Sequence, residues 1–419
     1  MEVSVIAIGD ELLIGQVTDT NSGAIARELN PDGWSIKSIR TIADNTDEIL
    51  KAVDAAMHET DVVLTTGGLG PTKDDITKPA LARYFGGEMV YDKEVERNVL
   101  EVVRKRGLKI NPLTAAQAYV PSSCRVIQNK VGTAPIMWFE KEGKVLVSMP
   151  GVPFEMEEML HSEVFPQLKR RFMKDEAVEH RTFIVEGYSE SVLAGKLEEF
   201  ESQIPEGIHL AYLPKPGIIR LRLTGISRDK EWLESQMDAL TNNLESIIGD
   251  NIISEEDKMP AEILGDILRK RKLTVATAES CTGGNIAHEI TTVAGCSDYY
   301  KGSVISYANS VKENQLGVSR DILESEGAVS EPVVRQMAES VAALLQTDCA
   351  IATSGIAGPG GGTTEKPVGT VWMAATANGK TVTRVQHFAG NRQRVINHAS
   401  MIAEIMLIDL LRGKYATNK

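Results

Sequence analysis

Val62-Val63-Leu64-Thr65-Thr66-Gly67-Gly68-Leu69-Gly70-Pro71-Thr72-Lys73-Asp74-Asp75-Ile76-Thr77 decides how the first third of the chain is read. It opens as a short apolar run of the kind buried on both faces of a sheet, passes through a glycine-rich turn, and enters the helical pattern Ile76 to Phe85. The same grammar recurs on either side. Val3 to Ile8 and Val145 to Met149 read as buried strands, and Ile49 to His58 and Val95 to Arg106 as helices. Strand–helix alternation implies a parallel sheet covered by helices on both faces.

The alternation lapses and then resumes. Between about 170 and 252, Thr182 to Val185 reads as a strand and Ser189 to Phe200 as a helix. His209 to Leu213 and Ile218 to Thr224 form a hairpin around Pro214-Lys215-Pro216-Gly217. Leu233, Met237, Leu240, Leu244 and Ile247 then mark one face of a further helix. Beyond about 258, strands are expected at Leu273 to Thr277, Ser303 to Tyr307, Ala350 to Thr353, Thr370 to Ala375 and Val382 to Phe388. Ser330 is placed to cap a helix running to about Gln346, and Val395 to Leu411 forms a closing helix. The expected fold class is α/β: two three-layer α/β domains with largely parallel sheets, residues 1–168 and 258–419, joined by a small α+β domain over 169–252.

Bulk properties narrow the function. A chain of 419 residues is long enough for two or three domains. A net charge of -13 argues against a general nucleic-acid binder, which needs a basic face, yet leaves room for small anionic substrates held by a local nest of amides. Cys124, Cys281, Cys296 and Cys349 form no C-x-x-C pair, so neither a zinc site nor a disulfide framework is signalled. With no signal-peptide pattern at Met1 to Asp10 and no apolar run of bilayer length, a cytoplasmic location and no membrane partner are expected.

Two constellations carry chemistry. In the first, Gly67, Gly68, Gly70 and Thr72 can expose amides to an anion at the start of a helix. Lys73 can add a cation, and Asp74 and Asp75 can hold a divalent metal that bridges phosphate oxygens. A glycine turn followed by helix-favouring acids is the competing reading. Gly9-Asp10-Glu11-Leu12-Leu13 ends the first strand, where ligands of open α/β sheets bind. Gly132-Thr133-Ala134-Pro135 and Met149-Pro150-Gly151-Val152-Pro153 are further loops, and Asp10 and Glu155 are candidates to join Asp75 on a metal.

The second is Thr277-Ala278-Glu279-Ser280-Cys281-Thr282-Gly283-Gly284, at a strand end entering a helix. It offers an exposed Ser280 hydroxyl beside amides able to hold an oxyanion, as an acyl-transfer nucleophile requires. Ser280 can equally be a helix cap, or the loop a phosphate cradle, and Cys281 is a rival nucleophile. No histidine stands in a telling motif. Tyr307 and Lys312 can supply the base instead, because a buried lysine can be neutral at working pH. A third loop, Ser354-Gly355-Ile356-Ala357-Gly358-Pro359-Gly360-Gly361, can take a phosphate or the reacting carbonyl, and Arg392 and Arg394 can clamp a phosphate.

These residues carry resemblances. The first loops resemble the molybdopterin-binding fold of MogA-like proteins and gephyrin over most of residues 1–168. Asp75 falls on that family's loop aspartate, and position 74 is Asp where those proteins often have a basic residue. Gly9-Asp10-Glu11-Leu12-Leu13 with Gly15, Asp19-Thr20-Asn21, and Thr66 to Thr72 resemble the CinA family more closely. So do Ala278 to Gly284, Tyr307 with Lys312, Ser354 to Gly361, and Gly390 with Arg392. The last set is similar to the CinA C-terminal domain, a family of nicotinamide-nucleotide amidases, and the middle region to the KH-like insert of full-length members, without a G-x-x-G clamp.

The resemblance implies that Ser280, Tyr307 and Lys312 are catalytic, that Thr282, Gly283, Gly284, Ser354, Gly355, Gly358, Gly360, Arg392 and Arg394 surround the substrate, and that no cofactor is needed there. It further implies an ADP-ribose pyrophosphatase in the N-terminal domain. That site would bind nucleotide through Gly9, Gly67, Gly68, Gly70 and Thr72, with a divalent metal on Asp75 and Asp10. Nicotinamide mononucleotide and ADP-ribose are the expected small-molecule partners, and a homodimer is the default assembly. Two rivals stand beside this. A short-chain oxidoreductase would place three residues between Tyr and Lys, whereas Tyr307 and Lys312 have four between them. A non-catalytic nucleotide-binding adaptor linked to competence or DNA repair would bind the same ligands and release no product.

Overall fold

The computed structural model describes residues 1–72, 75–107, 109–172, 176–215 and 217–415. Lys73 and Asp74, to which sequence gave a cation and a metal ligand, and Pro216 of the expected hairpin turn lie outside them. The chain forms two compact units: Met1–His180 with Gly225–Ser235, and Arg181–Thr224 with Gln236–Lys419.

In the first unit, β1 (Glu2–Ile8), β2 (Ser35–Ile42), β3 (Val62–Thr66), β6 (Arg125–Ile127), β7 (Ile136–Lys141) and β8 (Lys144–Met149) make one sheet in the order β2-β1-β3-β8-β7-β6; β4 (Met89–Tyr91) and β5 (Tyr119–Pro121) form a separate ribbon. β2, β1, β3 and β8 are parallel, and β7 and β6 turn back antiparallel. Alternation explains why the central strands read as continuous apolar runs. Val3 and Val5 of β1 face one core with Trp34 and Phe165, whereas Ile6 and Ile8 face the other with Ile49 and Val53. Both faces are covered, so Val3, Val5, Ile6, Ala7 and Ile8 are all buried, and Ser4 is buried with them.

In the middle of the sequence, β9 (Ala177–Glu186), β10 (Ile208–Lys215), β11 (Ile218–Ser227) and β12 (Ile252–Ser254) pair in the order β10-β11-β9-β12. In the second unit, β13 (Val275–Glu279), β14 (Tyr300–Ile305), β15 (Cys349–Gly355), β16 (Thr370–Ala377) and β17 (Lys380–His387) pair in the order β14-β13-β15-β16-β17. β14, β13 and β15 are parallel; β16 and β17 are antiparallel. The two faces of this sheet differ in bulk. One presents Val275, Ile351, Val371 and Met373 to the helices Pro260–Arg271 and Arg392–Arg412. The other presents only methyl groups at its centre, from Ala276, Ala278, Ala350, Ala352 and Ala374, against Val333, Val334, Met337 and Val341 of the helix Glu331–Leu345.

Two local expectations change. β14 ends at Ile305 rather than Tyr307, and Ser306 donates its amide to Glu279 O (2.8 Å) as the chain turns off the sheet. Ser330 does sit at the cap position of its helix, but its hydroxyl donates to Gly327 O (2.8 Å) instead of accepting from the first turn. No helix among the described residues is long and apolar enough to cross a membrane.

Candidate active site

The register of the second sheet brings strand ends together. Glu279 pairs with Thr353 and with Ile305, so β13, β14 and β15 deliver their following loops to one end of the sheet, where ligands of open α/β sheets bind. Ser280 is fixed there by its amide, which donates to Thr353 O (3.0 Å). Cys281 is 5% exposed and burial pushes its thiol up to about 12, so it is not a thiolate nucleophile near neutral pH.

Lys312 is where sequence and structure diverge most usefully. It lies on the helix Asn309–Leu316, not on a strand, and is 1% exposed. Its Nζ bonds the Ser280 hydroxyl (3.0 Å) and donates to the carbonyls of Ser306 (2.7 Å) and Tyr307 (3.3 Å). Burial pulls its pKa down to about 8. A neutral amine has two N–H donors and one lone pair. The two carbonyls take the donors, and the lone pair is left to accept the Ser280 proton.

Tyr307 plays a different part from the one its type suggested. Lys312 touches the Tyr307 carbonyl, not its phenol. The phenol is exposed and accepts from Arg392 Nη2 (2.9 Å), whose Nη1 donates to Gly358 O (2.7 Å). Arg392 therefore ties the Tyr307 turn to the glycine loop after β15. Arg394 does not share this site. It lines a separate cavity with His398 and Arg384, because residues two apart on a helix point to different sides. Ser354 is buried and its hydroxyl is committed to Ala328 O (2.6 Å). Gly355 ends β15, and Gly360 lies in the exposed loop, with open space where a Cβ would be. That loop is pinched at its base: Ile356 donates to Thr370 O (2.8 Å) and Gly369 to Ile356 O (2.7 Å).

The amides after Ser280 are mostly spoken for. Gly283 donates to Ser280 O (3.1 Å). Gly284 (2.9 Å), Ile286 (3.2 Å) and Ala287 (2.9 Å) donate to the Glu279 carboxylate. Only the amides of Cys281 and Thr282 have no acceptor among the described residues, so these, not Gly283 and Gly284, can receive an oxyanion. The glycines serve the backbone: Gly283 (φ +62) and Gly284 (φ +102) adopt left-handed geometry that turns the chain into the helix Asn285–Thr292.

Glu279 was quoted from sequence without a role. Fully buried, it also accepts from the hydroxyls of Thr277 (3.2 Å) and Thr282 (2.7 Å), and Thr282 in turn meets Thr353 Oγ1 (2.7 Å). An acid at the strand end, shortly before a glycine pair and a helix start, was the available signal.

The first unit holds a second site. A cavity of about 410 Å³ is lined by Gly67, Gly68, Gly70, Glu11, Asp44 and Asp75, with Asn21 at its wall. Asn21 donates to Thr66 Oγ1 and Gly151 O (both 2.8 Å), and its Oδ1 is buried without a partner. Gly67 cannot carry a side chain, since a Cβ would lie 2.0 Å from Ile8 O. Asp75 braces the loop: it accepts from the amides of Gly70 (2.7 Å) and Thr72 (2.8 Å) and from the Thr72 hydroxyl. Gly9 and Thr72 flank the cavity without lining it, and Gly9 donates to Ile42 O (3.1 Å).

Asp10 exchanges backbone-to-carboxylate bonds with Asp44 (3.3 Å each). Burial, together with the carboxylates of Asp10, Glu11 and Asp75, pushes the Asp44 carboxyl above its ordinary value, against the lowering by the Asp10 amide. Glu155 stands apart, bonded to Asn129 (3.0 Å) and Arg106 (3.3 Å). Among the described residues no three Asp, Glu, His or Cys side chains gather as a metal-ligand set.

Comparison with known proteins gives three family matches along the chain. Residues 257–411 match the family model of the CinA C-terminal domain, residues 4–170 a probable molybdopterin binding domain, and residues 180–254 the damage-inducible protein CinA KH domain. A CinA-like protein of Flavobacterium psychrophilum is 40% identical over 99% of both chains. The chain belongs to the CinA family. Another CinA-like protein, from Gemmatimonas aurantiaca, is 40% identical over 99% of this chain and 97% of its own. The crystal structure of a competence-damaged protein (CinA) superfamily protein from Klebsiella pneumoniae is 35% identical, covers 36% of this CinA-family chain and 96% of its own, and has a TM-score of 0.36.

Proposed function

We propose that the second unit is an amidase that converts nicotinamide mononucleotide and water to nicotinate mononucleotide and ammonia. The observation that carries this reading is the buried Lys312 amine 3.0 Å from the Ser280 hydroxyl. Ser280 Oγ attacks the carboxamide carbon while Lys312 Nζ takes its proton. The oxyanion is received by the amides of Cys281 and Thr282. As the C–N bond breaks, Lys312 returns the proton to the departing nitrogen, which leaves as ammonia. Water then attacks the acyl-enzyme, Lys312 accepts its proton, and that proton restores the Ser280 hydroxyl as nicotinate mononucleotide departs. Arg392, exposed at the mouth, is suited to the substrate phosphate, with Tyr307 holding its guanidinium in place. Ser280→Ala should abolish ammonia release from nicotinamide mononucleotide while leaving binding of the nucleotide within a few-fold. Unchanged turnover overturns the reading.

A second reading is supported by the first unit's cavity of about 410 Å³, where the Gly68 amide has no acceptor among the described residues and Asn21, with its unpartnered Oδ1, stands at the wall. We propose ADP-ribose as its substrate, cleaved at the diphosphate. Release of AMP and ribose 5-phosphate, followed with and without added magnesium, tests both the substrate and any need for a metal.

A further inference from the structure

The second unit contains a cavity of about 800 Å³ that neither proposed reaction uses. Its walls come from two parts of the chain. One side is the turn Gly187 to Glu190 after β9 together with the β10–β11 turn; the other is β17 and the helix Arg392–Arg412. The parts are seated on each other, since a Cβ on Gly217 would lie 3.1 Å from Ile402 Cδ1.

The polar groups inside are arranged by periodicity. Arg384 and Gln386 alternate onto one face of β17, and Arg394, His398 and Ile402 are spaced four apart along one face of the helix. In a chain of net charge -13, neither guanidinium has a carboxylate partner among the described residues. Lys215 adds a third cation, bonded to Met259 Sδ (3.4 Å) and, among the described residues, to no carboxylate. Of the two acids on the wall, Glu186 is paired with Lys414 (3.2 Å), which leaves Glu190 to oppose them. The helix Glu190–Ser202 starts at the same wall, and its cap residue Ser189 makes no side-chain capping bond. Gln386 Oε1 and His398 Nδ1 are buried and unpartnered. Burial, with Arg394 beside it, lowers the His398 pKa, so the ring is neutral near pH 7 and its Nδ1 is a hydrogen-bonding group rather than a charge.

The geometry points to a third ligand site, for a phosphorylated nucleoside or sugar: the phosphate lies between Arg384 and Arg394, and a hydroxyl or amino group of the same molecule satisfies Gln386 Oε1. The cavity has room for a mononucleotide. Such a site exists only where the middle segment and the C-terminal segment occur in one chain, so it suits a ligand that regulates rather than reacts.

Titration calorimetry of AMP with the full chain tests this, with adenosine as the control that lacks the phosphate. Saturable AMP binding is expected, weakened about tenfold or more in Arg384→Gln and in Gln386→Ala, with adenosine weaker still. Arg384→Gln should leave ammonia release from nicotinamide mononucleotide at its basal rate. Absence of saturable AMP heat overturns the assignment, as does AMP affinity unchanged in both variants. Failure of the amidase reading would show as no ammonia from the unaltered protein, whatever the AMP titration gives.

Discussion

A lysine enclosed by two carbonyls and a serine hydroxyl is a base at a pH where a surface lysine is a cation. The proposed amidase reaction needs the Lys312 amine unprotonated. Ammonia release should rise roughly tenfold per pH unit below pH 8 and level off above it, which a rate profile from pH 6 to 9.5 checks. The same shift has a stability consequence. The Lys312 pKa is lowered from 10.5 unfolded to about 8 folded, so between those values the unfolded chain holds the extra proton. Stability therefore rises with pH across that window, and the cost is present in full below it. Relative to Lys312→Met, the native protein should gain roughly 2–3 kcal/mol between pH 8 and 10, read by urea denaturation. Glu279 acts on Ser280 through the backbone. Glu279→Ala strands three amides and two hydroxyls, and should cost about 3 kcal/mol of stability and most of the turnover. Glu279→Gln, still an acceptor, should recover part of both, as melting and rate measurements would show.

At the scale of elements, sequence was most informative where one physical demand acts alone. Val3 to Ile8 and Val62 to Thr66 are strands with both faces buried, and short, mostly apolar runs bounded by turn residues mark them. It was least informative where tertiary contacts choose between options. Tyr307 was read as a strand residue beside its lysine, yet the chain leaves the sheet at Ser306, whose amide finds Glu279 O. Arg392 and Arg394 were paired as a clamp, but the helix begins at Arg392 and sends them apart. The Ser280–Lys312 contact itself spans a sheet register and a helix start, and no spacing encodes it. The alanine face of the second sheet gives an element-scale test. Ala352→Leu puts extra methyl groups against Val334 and Met337, and should lose about 1–3 kcal/mol by denaturant midpoint without touching the loops.

For the whole molecule, the two candidate reactions belong to different compact units, each with its own sheet and core. Asp75→Ala removes the brace of the first glycine loop and should abolish ADP-ribose cleavage while ammonia release stays within about twofold. Ser280→Ala should do the reverse. Assaying both products from both variants decides whether the activities are separable.

The excursion from Ile356 to Gly369 leaves the second sheet and re-enters it through a paired set of main-chain bonds at a single gate. Residues beyond that gate, other than Gly358, whose carbonyl anchors Arg392, can be added, deleted or exchanged without transmitting a shift to the strands beneath. Natural variation, or deliberate diversification, of this flap is thus free to retune which ligand the proposed amidase site accepts while the Ser280–Lys312 pair below it stays in register.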